Sequence, residues 1–400
     1  VIKALMDALK AKGVYLPGVI LKTSMILPGN KATDQSNAET IAEYTVRGLL
    51  EVVPPELGGI VFLSGGQSTN RVLRNLNAIA KRIKEVGVPW EVSHSFARGF
   101  KGPALEVWGG KKENVAAAQE AFALSLWQGQ AAHLGVLDEF NTLVANKTTP
   151  EKSGVKWLME RGGTYNAMIV AKAYSSALGD LVADFDAALL VREQEERLAA
   201  TAGQIISRTK GYLAADGSTG TGNGLVNRAL KAGGMSDAEI AEVNKDTIRM
   251  RQLREEMRRM MFTTPMLKYV AGGVILYDEA REYLDEEGRP LVKTHLLDNG
   301  IEIIHKTDRG MSDDNLSTEP KEEKVPSAAG LGEDNLRKVL SSFPDSKATK
   351  HRHAFKIDVS KGLPTAENIA RVAELLAQHA YDVQHEGRVP TLEPEVLIDG

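Results

Sequence analysis

Charged residues follow several apolar runs of this sequence at a spacing of two positions. Residues i and i+2 of a β-strand face the same side, so each such pair would project its side chains together. Two further runs end in single polar residues, Lys22 and Asp216. The three pairs are Lys306 with Asp308, Lys350 with Arg352, and Glu393 with Glu395.

These residue types favour covalent chemistry by an amine. Lys22 follows an apolar run, where partial removal from water disfavours its charged form, and a second lysine nearby acts in the same direction. A neutral amine can attack a carbonyl group. The glutamates and Asp216 can move the protons that such a reaction requires. Any one pair could be a strand end that meets solvent, but the coincidence of five runs favours a shared site.

Two other segments are typical of phosphate binding. Ser64, Gly65 and Gly66 follow one predicted strand, and glycines there let backbone N–H groups approach an anion closely. Arg98 follows the next predicted strand and can donate a fork of hydrogen bonds. Phosphate sites in barrels often use the loops after two consecutive strands.

The elements that would position these residues alternate between short apolar runs and amphipathic segments. This order predicts a parallel sheet covered by helices, and eight repeats over this length predict a (β/α)8 TIM barrel in a single domain. The predicted strands are Pro17–Leu21, Gly59–Leu63, Trp90–Phe96, Gly211–Ala215, Gly272–Tyr277, Ile301–His305, Ala348–Ile357 and Arg388–Leu392. The predicted helices are Val1–Lys12, Asn37–Val52, Thr69–Val86, Glu113–Gln128, Ala188–Ser207, Ser236–Met261 and Pro364–His385.

Two stretches depart from the repeat. The segment Gly129–Asp186 carries no clear strand–helix unit. The polar stretch Met311–Ala329 is predicted to be irregular, and its charged run Lys321–Lys324 is predicted to be a solvated loop.

Composition excludes several classes of function. The 400 residues carry a net charge of -4 and no cysteine, which argues against nucleic-acid partners, disulfides and cysteine nucleophiles. No apolar run has the length of about 18 residues that a membrane helix needs. Val1 begins inside a helical pattern without the features of a signal peptide. We therefore expect a cytoplasmic protein without membrane contact.

Two motifs that suggest cofactors have a plainer interpretation. His351 and His353 have metal-ligand spacing, but Lys350 and Arg352 flank them, so a metal is not expected. The glycine-rich segment 220–224 lacks the spacing of a nucleotide-binding loop. We expect neither a metal nor an organic cofactor.

The motifs together resemble class I fructose-bisphosphate aldolase, in a rotated order. Residues 1–135 are similar to the C-terminal part of that family and residues 188–400 to its N-terminal part, with 136–187 as a joining segment. The resemblance rests on Gly18–Lys22, Val53–Pro55, Phe62–Ser68, Asn75–Ile79, Ser95–Arg98, Trp108–Asn114, Leu213–Asp216, Ser218–Gly220, Gly273–Leu276, Lys306–Asp308, Lys350–Arg352 and Glu393–Glu395.

The resemblance implies a role for each matching residue. Lys22 would form the Schiff base with the substrate. The other catalytic residues would be Glu393, Glu395, Asp216 and Lys350. The substrate and its phosphates would be bound by Ser64, Gly65, Arg98, Ser218, Lys306 and Arg352.

The implied reaction is reversible cleavage of fructose 1,6-bisphosphate into two triose phosphates, without a metal, in a circularly permuted barrel that forms a homotetramer. Four positions differ from the family pattern: Thr23, Ala97, Gly217 and His351. Two alternatives stay open, a Schiff-base aldolase for another phosphosugar and a weakly active barrel that serves as a scaffold. The C-terminal tyrosine of the family has two candidate counterparts, Tyr165 and Tyr174.

Overall fold

The structure is a computed structural model that describes residues 1–145, 194–195, 197–198, 212–213, 223–262, 272–275, 284–299, 301–308, 311–312, 323–326, 333–341 and 344–397. Its strands are β1 (Ile20–Thr23), β2 (Gly59–Phe62), β3 (Val92–Phe96), β4 (Tyr212–Leu213), β5 (Gly272–Ile275), β6 (Glu302–Lys306), β7 (Met311–Ser312), β8 (Glu323–Pro326), β9 (Ala348–Phe355) and β10 (Val389–Val396).

The α-helices alternate with most of these strands. They are α1 (Ile2–Ala11), α2 (Ala38–Val52), α3 (Thr69–Val86), α4 (Arg98–Trp108), α5 (Val115–His133), α6 (Leu137–Ala145), α7 (Asn223–Ala232), α8 (Asp237–Lys245), α9 (Thr247–Phe262), α10 (Glu333–Ser341) and α11 (Ala366–His385).

Local sequence signals set where several helices begin. The side chains of Asn37, Ser68 and Thr365 each accept a hydrogen bond from a backbone N–H in the first turn of α2, α3 and α11. These caps satisfy N–H groups that have no partner inside the helix. Helix α3 ends at Gly87, whose φ of 72° lies in the left-handed region that glycine tolerates.

Parallel pairings connect the strands that carry the charged residues. The pairs run β1–β2, β2–β3, β3–β4, β4–β5, β5–β6 and β6–β9, and β9 pairs with β10. Strand β10 in turn pairs with β1, where Leu21 lies opposite Leu392. The fold is therefore α/β, with a parallel sheet whose pairings return to the strand at which they began.

The apolar core lies between the strands and the helices. Leu21, Phe62 and Leu392 from the strands pack in one cluster with helix residues such as Leu5 and Leu76. Alternate strand residues point the opposite way, because successive side chains of a strand face opposite sides. This alternation leaves Lys22 and Glu393 on the side away from the core cluster.

Three elements differ from the prediction. Strand β10 continues beyond Leu392 to Val396, since Glu393 to Val396 all pair with β9. The predicted helix Ser236–Met261 is two helices, and the Asp246 carboxylate between them accepts a hydrogen bond from the Arg249 N–H in the first turn of α9. Helix α4 was not predicted. Three residues of α4, Gly99, Gly102 and Pro103, disfavour a helix. Packing of α4 against α5 outweighs this low helix propensity.

The stretch 311–329 is not wholly irregular. Strands β7 and β8 pair antiparallel, and β8 also pairs with β9, where Glu323 lies opposite Phe355. Glu323 and Lys324 of this run therefore lie in β8 rather than in a loop, and Lys321 and Glu322 lie outside the described residues. Helices α5 and α6 and the turn between them cover residues 129–145 of the segment 129–186. Residues 146–186 lie outside the described residues, as does most of the predicted helix Ala188–Ser207.

Gln384 at the end of α11 joins segments that are far apart in sequence. Its side-chain oxygen accepts from the Tyr15 N–H at 3.0 Å, and its amide group donates to the Tyr15 carbonyl at 2.9 Å. Gln384 is 6% exposed. We predict that Gln384→Ala lowers the free energy of unfolding by about 1–3 kcal/mol, since it leaves two backbone groups without these partners.

Denaturant unfolding measures this change. Gln378→Ala on the same helix is the matched control, because the Gln378 amide bonds only to Asp382 one turn away and lies partly buried. A loss in Gln384→Ala no larger than in the control would contradict the role of Gln384.

Candidate active site

Lys22 lies in β1 with its amine removed from water. The residue is 4% exposed, and its Nζ lies 3.5 Å from Glu393 Oε1 on the adjacent strand β10. Apolar Ile20 and Leu21 precede it in the same short strand. Burial, together with the nearby cations Lys350 and Arg352, lowers the pKa of Lys22 to about 8, against the opposing effect of Glu393.

Glu393 is the first link in a chain of alternating charges. Its second carboxylate oxygen contacts Lys350 of β9. Lys350 Nζ lies 3.7 Å from Asp308 Oδ2, and Lys306 Nζ lies 2.9 Å from Asp308 Oδ1. The sequence Lys22, Glu393, Lys350, Asp308, Lys306 thus alternates in charge across β1, β10, β9 and β6, and all five residues are at most 4% exposed.

Arg352 of β9 and Glu395 of β10 form an ion pair beside this chain of charges. Arg352 Nη1 donates to Glu395 Oε2 at 3.1 Å. The Arg352 N–H also donates to Asp308 Oδ2 at 3.3 Å. The i, i+2 spacing noted in the sequence therefore brings both members of each pair to the same face.

The environment sets the protonation of each carboxylate. Burial opposes the charge of Asp308, but Lys350 and Lys306 hold its pKa well below its ordinary value. Burial acts in the same way on Glu393, and Lys22 and Lys350 lower its pKa. For Glu395 burial dominates and raises the pKa, although Arg352 opposes this. Four basic side chains, Lys22, Lys306, Lys350 and Arg352, thus lie among three carboxylates, which suits an anionic ligand.

The charged groups are buried more deeply than the sequence predicted. Partial removal from water was predicted for Lys22, and Lys306 and Lys350 are buried as well, all three paired with carboxylates. Burying an unpaired charge is costly, and mutual pairing offsets much of that cost. Asp308 belongs to the site although the sequence analysis gave it no role. Its position two residues after Lys306 was the available signal.

The segment after β2 forms a tight turn. Gly65 and Gly66 have φ values of 54° and 82°, which a residue with a side chain adopts only rarely. The Gln67 N–H and side-chain amide both donate to the Ser64 carbonyl, and Asn75 holds the Gln67 oxygen at 2.6 Å. Successive left-handed residues of this kind leave N–H groups aligned for an anion.

Arg98 begins α4 directly after β3, which pairs with β2. The two segments predicted to bind phosphate therefore follow neighbouring strands. Asp216 and Ser218 lie outside the described residues, as do Gly217, Tyr165 and Tyr174.

The described residues contain neither a cluster of metal ligands nor a membrane-spanning helix. Among them, no group of three histidine, cysteine, aspartate or glutamate side chains is close enough to hold a metal ion. Within the same ranges, no helix has the length and apolar character needed to cross a membrane.

Comparison with known proteins identifies the family. The model described as "Glycolytic: Fructose-bisphosphate aldolase class-I" matches residues 1–154 and 197–400. The chain belongs to the class I fructose-bisphosphate aldolase family. The resemblance inferred from the sequence motifs is thereby confirmed.

Individual relatives match shorter parts. Chloroplastic fructose-bisphosphate aldolase 1 of Arabidopsis thaliana is 42% identical over 127 residues, which cover 32% of this chain and 31% of the relative. Cytosolic fructose-bisphosphate aldolase 6 of the same plant is 43% identical over 136 residues, covering 34% and 37%. A solved fructose-bisphosphate aldolase from Plasmodium falciparum, in complex with TRAP and a small-molecule inhibitor, is 34% identical over 33% of this chain and 40% of its own, with a TM-score of 0.29.

The charges around Lys22 yield a prediction about its pKa. Labelling of Lys22 by a small amine-reactive reagent should rise with pH and reach half its maximum near pH 8, because only the neutral amine reacts. Glu393→Gln removes an anion that stabilises the ammonium, so the midpoint should move to lower pH. Lys350→Met removes a cation that destabilises it, so the midpoint should move to higher pH.

Mass spectrometry of Lys22 across a pH series gives the midpoint. Glu56→Gln is a control because Glu56 is exposed and pairs with Lys10 on the surface, so the midpoint should not change. Shifts of the same sign in Glu393→Gln and Lys350→Met would contradict the assignment of these two charges.

Proposed function

We propose that the chain catalyses the reversible aldol cleavage of fructose 1,6-bisphosphate into dihydroxyacetone phosphate and glyceraldehyde 3-phosphate. The observation that carries this proposal is the buried Lys22 amine, with a pKa of about 8, beside Glu393 of the adjacent strand, whose other carboxylate oxygen contacts Lys350. Membership of the class I family supports the same reaction.

The arrangement suits the first bond-forming step. The neutral Lys22 amine attacks the ketone carbon of the open-chain sugar, and the carbonyl oxygen takes up a proton. Glu393 lies beside the amine with Lys350 on its other oxygen, so its carboxylate can take the proton that the attacking nitrogen loses and return it to the hydroxyl that leaves as water. The product is an iminium ion, which stays covalently bound to the protein.

The iminium then serves as the electron sink for cleavage. A base removes the proton of the C4 hydroxyl, the C3–C4 bond breaks, and its electron pair moves to form an enamine while the aldehyde leaves. The family resemblance gives the base role to Asp216. Protonation at C3 and hydrolysis of the second iminium release dihydroxyacetone phosphate and restore Lys22.

Phosphate binding follows from the remaining charges. The turn Ser64–Gly66 and Arg98 would bind one phosphate, while Lys306, Arg352 and Ser218 would bind the distal end of the sugar. The basic side chains Lys306, Lys350 and Arg352 near Lys22 support a phosphorylated substrate. A phosphosugar of another length remains the alternative within the family, and a scaffold role the alternative outside catalysis.

We also propose that the paired strands form the family's (β/α)8 barrel in a circularly permuted order. The pairing of β10 with β1 supports this, as does the packing of α1 against α11. Both contacts join segments near the two ends of the sequence. Homotetramer formation and a cytoplasmic location stay predictions.

Trapping of the covalent intermediate tests the function. Incubation with dihydroxyacetone phosphate and borohydride should attach the triose to Lys22, and Lys22→Met should abolish both the adduct and turnover. Lys12→Met, at an exposed position, is the matched control and should retain both. Peptide mass spectrometry that places the label mainly on Lys306 or Lys350 would overturn the assignment.

Substrate recognition is tested by Arg98→Ala. Loss of a charge-assisted hydrogen bond of about 1.5–3 kcal/mol should raise KM for the bisphosphate by about tenfold or more. Steady-state kinetics with fructose 1,6-bisphosphate, its 1-phosphate and a seven-carbon bisphosphate would rank the substrates. Arg74→Ala, exposed on α3, is the control, and an equal KM in both variants would place Arg98 outside the site.

A further inference from the structure

Behind the charged chain, three polar side chains meet on the face of β9 that lies towards α11. Thr307 and His351 alternate with the site residues Lys306, Asp308, Lys350 and Arg352, and therefore face the opposite side of the strands. His379 reaches them from α11. Thr307, His351 and His379 are 1%, 1% and 4% exposed.

The Thr307 hydroxyl is the centre of this group. Its oxygen lies 2.9 Å from His351 Nδ1, 3.4 Å from His379 Nε2 and 3.2 Å from the Lys350 carbonyl. The two imidazole rings lie with centroids 4.2 Å apart, tilted by 32°. A hydroxyl has one proton, so donation to the Lys350 carbonyl leaves its lone pairs to accept from the ring N–H groups.

The ring of His351 adds no charge to the site. Burial lowers the pKa of His351 to about 4, so the ring is neutral at neutral pH. A neutral ring has one N–H, so Nδ1 of His351 either donates to the Thr307 hydroxyl or accepts from it. The group is therefore a hydrogen-bonded network, with a neutral His351, behind a highly charged one.

The network holds the two strands at the level of Asp308. The Thr307 N–H donates to the Lys350 carbonyl at 3.0 Å, which is the same carbonyl that its hydroxyl reaches. One residue later, the Asp308 carboxylate accepts from the Arg352 N–H. Asp308 lies beyond the last residue of β6, so these contacts fix its position against Lys306 and Lys350.

We propose that Thr307, together with His351 and His379, is a positioning group that keeps Asp308 between Lys306 and Lys350 and so maintains the reactive arrangement around Lys22. The Thr307 hydroxyl contacts the backbone carbonyl of Lys350. It acts through the backbone of Lys350 and through Asp308. The proposal rests on the proposed function for its kinetic consequence, but not for its effect on the lysines.

The main test compares Thr307→Val with Thr307→Ser. Valine keeps the shape and removes the hydroxyl, whereas serine keeps the hydroxyl. Thr307→Val should lower kcat for fructose 1,6-bisphosphate by about tenfold to a hundredfold, with KM changed much less, because misplacement of catalytic groups reduces the rate of the chemical steps. Thr307→Ser should recover most of kcat.

Thr349→Val is the matched control. Thr349 is a fully buried threonine of the neighbouring strand β9, and in the described part of the structure its hydroxyl has no hydrogen-bond partner. It should keep kcat within about twofold of the unmodified protein. If Thr307→Val does not fold, the smaller Thr307→Ala, compared with the serine variant, makes the same comparison.

A second readout does not depend on turnover. Competitive labelling of lysines, read at Lys306 by mass spectrometry, should rise about threefold in Thr307→Val, since a displaced Asp308 stabilises the Lys306 ammonium less. Unchanged labelling with unchanged kcat in Thr307→Val would overturn the proposal. Increased labelling in a protein that never cleaves the bisphosphate would support the positioning role and refute the proposed function.

Discussion

The removal of the Lys22 ammonium from water is the constraint to which the rest of the site responds. A buried charge of this kind must be paired or become neutral. The structure uses both routes, because Glu393 pairs with the amine while Lys350 and Arg352 oppose its charge. The resulting pKa of about 8 leaves a usable fraction of neutral amine near neutral pH without making the lysine permanently uncharged.

Pairing Lys22 alone would not stabilise the carboxylate that faces it. Glu393 is itself buried, and its second oxygen needs the Lys350 ammonium. Lys350 in turn contacts Asp308, which also binds Lys306. Each added charge balances the one before it, and only the parallel strands β1, β10, β9 and β6, side by side, can supply them in this order. The fold and the electrostatics therefore depend on the same register.

Much of this arrangement could be predicted from the sequence. All eight predicted strands overlap observed ones, because the short apolar runs carry a strong local signal. The i, i+2 spacing correctly placed both members of each charged pair on one face. Lys22, Glu393, Lys350, Lys306 and Arg352 were predicted as site residues, and the structure brings them together.

The errors came where tertiary contacts outweigh local signals. Strand β10 was predicted to end at Leu392, because the charged residues after it look like a loop, whereas their partners on β9 extend the strand to Val396. Helix α4 contains two glycines and a proline, and it is stabilised by the burial of residues such as Phe100 and Trp108 rather than by propensity. Partial burial was predicted for Lys22 alone, since no local pattern reveals which cation will face a given carboxylate.

The same strands hold the charged site on one face and a hydrogen-bonded network of Thr307, His351 and His379 on the other. On one face, β6 and β9 hold charges close together, where the repulsion between Lys306 and Lys350 would separate the strands without Asp308. On the other face, Thr307, His351 and His379 add hydrogen bonds that cross the same pair of strands. A neutral group is suited to this position, because a third positive charge there would oppose the ammonium groups that Asp308 must hold. The alternation of side chains along a strand thus separates the groups that react from the groups that keep them in place.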